Sequence, residues 1–415
     1  MIRSILFPTV YLLCVMVITT IGDTERRRIM DDVERAAKPF NVNWLNAVFI
    51  LGTPPLAVIG GVWHGYTYGL TWVEALIFFV WYFACGLSIT VGYHRLFSHR
   101  SHEARWPLRL SYALFGAGAF QNSILEWSSD HRRHHKDTDL EADPYNATRG
   151  FWWSHFLWII MDEHVGKPDY TNVRDLQKDW VVRFQHRFIF TLGFLFGMVA
   201  PAAIGFAIGG VGTAIGGFVW GGLIRTVFVH HGTFLINSAA HVWGKQPYST
   251  KNTSKDSYWL AFFTFGEGFH NFHHAFQADY RNGYRWWHWD PSKWWIRFWS
   301  LFNLNKRLKR TPKWSIENAK MKTSFENTAR VVAPTIGEQR LAAFCKRAEI
   351  CREAVRKAHL AIDNRRVELA QATAEKRDQM HQRLEQARAT LAIVQADFHQ
   401  LVAEMTASTT TVVSV

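Results

Sequence analysis

Cysteine is scarce in this chain. There are four, Cys14, Cys85, Cys345 and Cys351, and no two form a Cys-x-x-Cys pair. That excludes a disulfide framework and the usual thiolate sets for zinc or iron–sulphur clusters. All four read as free thiols, which fits a reducing cytoplasmic side. Acidic residues are outnumbered, 34 against 47 Lys and Arg, for a net charge of +13. A basic chain can meet nucleic acid, anionic lipid headgroups or acidic substrates. No nucleic-acid motif is present, and several long stretches lack charge altogether, which favours the membrane. A cleavable secretory signal is not expected either. Residues 4–22 are apolar, but only Arg3 precedes them while Arg26, Arg27 and Arg28 follow, the reverse of a signal's order. Within an N-terminal extension of residues 1–38, this stretch reads either as an extra membrane segment or, since Met30 opens a natural-looking start, as part of an upstream extension covering residues 1–29.

Tryptophan, at 20 residues, and phenylalanine, at 31, are abundant. Tryptophan collects at membrane interfaces, where its ring is half apolar and half polar. Four stretches approach the length that crosses hydrocarbon, roughly 20 residues: 43–63, 70–91, 188–208 and 213–236. Pro54 and Pro55 fall inside the first, which membrane helices tolerate. Arg225 is the one charge in the fourth and is expected to face the bundle interior. The links His64–Gly69 and Gly209–Gly212 carry no Lys or Arg, whereas 25–38, 93–187 and everything after 237 are rich in them. The positive-inside rule therefore places both termini and the middle segment on the cytoplasmic side.

Histidine carries the chemistry. Eight of the 20 histidines lie in three short runs: His94-Arg-Leu-Phe-Ser-His99, His131-Arg-Arg-His134-His135 and His270-Asn-Phe-His273-His274. A ninth, His241, follows Asn237 at i+4. On a helix, i, i+3 and i+4 share a face, so His131, His134 and His135 are expected to point at one centre, and His270, His273 and His274 likewise. His94 and His99, five apart, suit a helix end. Neutral imidazole suits first-row metals, and nine rings exceed what one tetrahedral zinc uses. The number asks for two ions. Two crossings separate the first two runs from the rest, so all nine fall on one side of the bilayer. His64, His102, His155, His164, His186, His230, His231, His288, His359, His381 and His399 read as ordinary surface or core residues, although His230 and His231 lie just before Asn237.

The runs Leu108–Leu125 and Phe151–Met161 are expected as helices resting at the cytoplasmic interface. Asp290-Pro291 signals a helix start. The helix that follows, with Trp294, Trp295, Phe298, Leu301 and Phe302 beside Lys293, Arg297, Lys306 and Arg307, reads as amphipathic in the headgroup layer. From about 313 the chain is a charged tail. Apolar residues step by three and four from Leu341 to Ile362, and again from Leu384 to Met405. Two coiled-coil segments, a helical hairpin or a solvated helix all fit this pattern. Ser408 to Val415 reads as disordered.

These runs, with their flanks Gly92-Tyr-His-Arg-Leu-Phe-Ser-His-Arg100, Ala142-Asp-Pro-Tyr-Asn146, Asn237-Ser-Ala-Ala-His241 and Gly266-Glu-Gly-Phe-His-Asn-Phe-His-His274, resemble the membrane-bound fatty acyl desaturases of the delta-9, acyl-CoA type. The likeness covers residues 39–312. It implies an all-α integral membrane fold: a four-span helical bundle under a cytosolic helical cap that holds a di-iron site, followed here by the helical tail 313–415. It implies two irons held by His94, His99, His131, His134, His135, His241, His270, His273 and His274, with Asn237 reaching one through water. Substrate contacts are carried over to Gln121, Asn122, Trp127, Asp130, Thr233 and Phe234, around a kinked acyl tunnel. Vertebrate acyl-CoA forms have Trp where this chain has Phe234, and Arg where it has Ser129. The first difference bears on the tunnel bend. The second leaves acyl-CoA, acyl carrier protein and lipid-linked headgroups open. The tail lacks a His-Pro-Gly-Gly haem signature, so a separate ferredoxin-, rubredoxin- or cytochrome-like donor is implied, and its apolar stripes offer a seam for self-association.

The expected reaction is oxygen-dependent insertion of a cis double bond, because an unactivated methylene C–H bond needs metal-activated O2. A membrane di-iron hydroxylase of lipids or alkanes shares the ligand pattern and would give an alcohol. A zinc hydrolase would act without oxygen. A metal transporter or scaffold would place its ligands within the bilayer.

Overall fold

The computed structural model describes residues 41–161 and 169–410. The expectations for residues 1–38, for Cys14 and His164, and for 411–415 lie outside them. The described chain is mostly helical, with one two-stranded antiparallel ribbon, β1 (Glu103–Ala104) against β2 (Asn305–Lys306).

Three helices are long and apolar enough to cross a membrane: α1 (Trp44–Tyr68), α2 (Trp72–Ser98) and a third stretch, Ile189–Val242. Helix α1 begins at Asn43, whose side chain accepts the Asn46 N–H at 3.1 Å. It runs past the expected end at residue 63 to Tyr68 and stops at Gly69, at φ +78°. Its outer residues Trp44, Leu45, Val48, Leu51, Val58, Ile59 and Val62 are exposed. So much bare apolar surface belongs against lipid tails, not water. Helix α2 opens with a capping box between Thr71 and Glu74, so the charge near its end is held by hydrogen bonds. From Ser88 to Ser98 its turns widen to π-helical, i→i+5 bonding.

Next come α3 (Trp106–Ala117), α4 (Ile124–Asp137) and α5 (Trp180–Arg187). The run Leu108–Leu125 is thus not one helix. It breaks after Ala117 into a turn with Phe120 and Asn122 at φ +54° and +62°, and Ser123 caps α4 with Glu126 as its capping-box partner. The third long stretch, α6 (Ile189–Val242), has non-helical backbone at Gly209 and Gly210. Gly210, at φ +73°, is where the chain reverses. Gly217 of the returning limb then lies against Pro201 of the outgoing one. Arg225 is fully buried, as expected for a charge on this limb. Its guanidinium donates to the carbonyls of Gly221, Gly118 and Gly197 at 2.9, 2.7 and 2.7 Å, so the charge is delivered to carbonyl dipoles instead of a carboxylate.

Helices α7 (Tyr258–Phe263), α8 (His270–Ala275) and α9 (Pro291–Leu301) complete the region before the tail. Asp290 caps α9, accepting the Lys293 N–H at 2.9 Å. The tail is three helices, α10 (Lys313–Ile336), α11 (Glu338–Gln371) and α12 (Arg377–Thr410). Their shared core includes Met321, Phe325, Phe344, Val355, Phe398, Leu401 and Met405. Of the sequence alternatives, this is a hairpin, α11 with α12, joined by a third helix that the tail periodicity had not revealed. The apolar stripes face each other within the chain. Helix α10 also sets Ile316 and Ala319 against Tyr248 and Phe272, so it packs directly on the region before it.

Candidate metal centre

The π-helical end of α2 explains the awkward first spacing. His99 N–H donates to His94 O at 3.1 Å. Five residues therefore make one wide turn, and the two rings face together with centroids 4.8 Å apart. Helix α4 supplies His131, His134 and His135, α8 supplies His270, His273 and His274, and the last turn of α6 supplies His241.

These nine rings form two groups. One holds His94, His99, His131, His135 and His273, and the other holds His134, His241, His270 and His274. Within each group the candidate ligand atoms lie within 4.8 Å of one another. The expectation that each three-histidine run points at a single centre is corrected here. His131 and His135, an i,i+4 pair, stay together while His134 turns to the other group, and His270 and His274 stay together while His273 crosses over. At 100° per residue, i+4 returns to within about 40° of i, whereas i+3 falls about 60° to the other side. Each run thus serves both groups, and His135 stacks on His274 at 4.4 Å where the groups meet.

Acids behind the rings set their orientation. His94 Nδ1 lies 3.0 Å from Glu267 Oε2, His134 Nδ1 lies 2.8 Å from Asp143 Oδ1, and His241 Nδ1 lies 2.8 Å from Thr253 Oγ1, which in turn donates to Asp139. A ring donating its Nδ1 proton outward leaves Nε2 a bare lone pair facing inward. Glu267 is itself gripped by Arg95, which also pairs with Asp290 at 3.0 Å. Gly266, at φ +95°, allows this approach, since a Cβ there would meet the Asp290 Cα at 2.7 Å. Burial raises the Glu267 carboxyl, but Arg95 and His94 outweigh it, and the net shift is downward. These acids were missed from sequence, although Asp143 and Glu267 sit in the very flanks that carried the resemblance.

The donor set fits metal ions. Burial first, and neighbouring rings second, hold His99, His131, His135, His270, His273 and His274 well below the ordinary imidazole value. The rings are therefore neutral, the form that ligates. His273 Nε2 is 2.9 Å from both His94 Nε2 and His135 Nε2, and one N–H cannot serve two such contacts. His241 Nε2 is buried with no protein partner. Converging lone pairs of this kind call for a cation between them.

One cavity meets both groups. Its wall includes His94, His131 and His270, and all six substrate candidates: Gln121, Asn122, Trp127, Asp130, Thr233 and Phe234. Asn237 lines it too. Gln121 Nε2 donates to Thr233 Oγ1 at 2.9 Å, bridging the turn before α4 to the returning limb of α6. Trp127 stacks on His131 at 4.7 Å. His230 and His231 join neither group: His230 bonds the Ala119 carbonyl, and His231 bonds His155.

Two nitrogen-only clusters opening on one cavity, in a chain with apolar, membrane-suited helices, fit a membrane protein with a histidine-rich metal site. Residues 70–297 match the family model described as fatty acid desaturase, and the chain belongs to that family. It is 41% identical over 282 residues to acyl-CoA desaturase 1 of Saccharomyces cerevisiae, covering 67% of this chain and 54% of that protein. It is 41% identical over 273 residues to a probable acyl-CoA desaturase of Schizosaccharomyces pombe, covering 66% and 56%. An sn-1 stearoyl-lipid 9-desaturase of Anabaena variabilis is 34% identical over 257 residues, covering 61% and 89%. The chain spans about half the length of the two yeast relatives.

Proposed function

We propose that this chain is an oxygen-dependent desaturase that places a cis double bond, at the delta-9 position, in a saturated acyl chain carried as acyl-CoA. The observation that carries the reading is the junction of both histidine groups with one apolar cavity. The acyl-CoA names of the two yeast relatives support the headgroup. Two irons, held by the nine histidines, with Asn237 reaching one of them through water, would supply the oxygen activation that an unactivated methylene requires. The balance is –CH2–CH2– with O2, two electrons and two protons giving –CH=CH– and two waters.

The chain's own residues place and protect. Glu267, Asp143 and Thr253 hold Nδ1 protons so that Nε2 stays free. Gln121 and Thr233 clasp the acyl chain at its bend, Trp127 and Phe234 pack against it, and Asn122 and Asp130 meet the headgroup end. Which carbons lie beside the irons then decides double-bond position. In this reading residues 39–312 are the catalytic domain. Helices α1 and α2 and the two limbs of α6 cross the membrane four times, and the centre and both ends of the chain face the cytoplasm. A separate carrier protein brings the electrons. Expression in an unsaturated-fatty-acid auxotroph, with double-bond position read by mass spectrometry, tests this. Rescue with a delta-9 product is expected. A hydroxylated product, or product formed without oxygen, would refute it.

A further inference from the structure

We propose that a basic groove between the segment 281–313 and helix α10 docks a small acidic electron-carrier protein, and that Tyr284 and Phe272 conduct its electrons to His273. This rests on the reaction proposed above, which draws two electrons from outside for each alkene.

The groove encloses about 920 Å³, and its walls include Arg285, Trp286, Trp287, Arg310, Lys313 and Lys320. Among the described residues, none of these four cations forms an ion pair with a carboxylate. Arg285 and Lys320 donate to the Tyr284 hydroxyl at 3.1 and 3.0 Å, and Arg310 donates to the Tyr280 hydroxyl at 3.1 Å. The acids nearby are already engaged: Asp279 by Arg281, Glu317 by His359 and Gln395, and Asp256, buried behind Lys320, by the Phe272 N–H. The groove is left with a positive surplus. Its rim is held in shape by Lys293, whose ammonium donates to the carbonyls of Gly283, Arg285 and His288. Trp286, 87% exposed, offers a rigid aromatic contact.

The back wall of the groove leads inward. Tyr284 stacks on Phe272, with centroids 5.3 Å apart and planes 11° apart. Phe272 is fully buried and is bonded through one peptide link to His273 of the five-ring group. Lys320 lies over both Tyr284 and Tyr248, and Tyr248 meets Phe272 edge-on. His270 and His273 are each 1% exposed, and His99 and His135 of the same group are only half-buried, so the ring stack offers electrons a route to His273, the ring of α8 that no carrier can touch directly. Two rings span the route. An acidic protein fits this surface better than a small anion. Redox encounter complexes are small and charge-steered, and an ion could use the charges but would leave the exposed tryptophans and the inward ring stack without a role.

The test uses full-length, iron-loaded protein in detergent. Two acidic carriers, the soluble haem domain of cytochrome b5 and a plant-type ferredoxin, are compared with photoreduced 5-deazaflavin as a small reductant. In Arg285→Glu/Arg310→Glu the Kd and apparent KM for at least one carrier should rise at least tenfold at low salt, with deazaflavin-driven alkene formation within twofold of wild type. Arg310→Lys should restore part of the binding to the Arg310→Glu form. Tyr284→Ala should leave carrier Kd within twofold but slow carrier-driven turnover at least tenfold, and Tyr284→Phe should keep it. Unchanged carrier Kd in the charge-reversed protein overturns the proposal. So does equal loss with carrier and deazaflavin. Weakened partition onto phosphatidylserine vesicles with carrier Kd unchanged also overturns it and makes the groove a lipid-headgroup surface. Carrier binding that responds to these substitutions in a wild-type background that makes no alkene with any reductant would uphold the docking surface and refute the desaturase reading.

Discussion

Glu267→Gln isolates the role of the acids behind the rings. The carboxylate receives Arg95 Nε at 3.1 Å, Arg95 Nη2 at 2.8 Å, His94 Nδ1 at 3.0 Å and the Asn282 amide. All of these partners donate, and the carboxylate only accepts. A glutamine has a single acceptor oxygen. Its NH2 must face either Arg95 or the His94–Asn282 pair, so a donor meets donors in either orientation. Charge-assisted hydrogen bonds contribute roughly 1.5–3 kcal/mol each, and breaking a buried pair costs roughly 3–5 kcal/mol. Asp290 still pairs with Arg95 at 3.0 Å, so the guanidinium is not stranded and the loss should sit near the lower end, about 3 kcal/mol. Loss of such a support also lowers metal affinity by roughly 10–100-fold. Anaerobic Fe(II) binding against a competing chelator, with thermal unfolding of the apo form, reads both. Asp290→Asn is the control: it disturbs Arg95 and the α9 cap but not His94, so it should lower stability with iron affinity unchanged. If Glu267→Gln binds iron as wild type does, or if both variants lose iron equally, the acid does not act through His94.

His135→Ala or His274→Ala each removes one nitrogen that no neighbour can replace; bound iron should fall and alkene formation cease while membrane insertion persists, and full activity in either would remove that ring from the centre. Thr233→Val deletes the acceptor for Gln121 at a cost of about 1 kcal/mol; mass spectrometry should find a mixture of double-bond positions, and an unchanged single position would show that this hydrogen bond does not set the bend. Arg225→Met strands the Gly118 and Gly197 carbonyls, each at roughly 1–3 kcal/mol; the detergent-solubilised protein should unfold several degrees earlier, and an unchanged midpoint would mean that water or lipid already satisfies them.

The histidine pattern was legible because helical spacing is written directly in sequence: His131 with His135 and His270 with His274 needed only the 3.6-residue repeat. Their division between two groups was not, since it depends on where the facing helices lie. His94 and His99 looked irregular because the eye assumes an α-helix, and the π-helical end of α2 makes five residues one turn. Glu267 and Asp139 left no periodic trace, as each acts through a partner far away in sequence, and Asp143 acts on His134 across a loop, where no helical repeat relates the two. The three long apolar helices were legible from hydropathy, but the reversal inside α6 could be placed only to the glycine run 209–212. In the tail the stripes on α11 and α12 were visible. Helix α10 was not, because its apolar residues are divided between the tail core and Phe272.

The way α10 covers Phe272 bears on biosynthesis. A chain emerges from the ribosome amino end first, so His94 and His99 wait through some 170 further residues before His270, His273 and His274 appear. Even then the back of α8 stays bare until Ile316 arrives, and the tail core closes only with Phe398 and Leu401. Through most of translation the nine rings form an open, partly assembled basket. Metal delivered during synthesis finds every nitrogen accessible, whereas metal delivered to the finished chain reaches the rings only past the half-buried His99 and His135 or through the cavity. Reconstitution of purified apoprotein should on this account be slower than loading during synthesis.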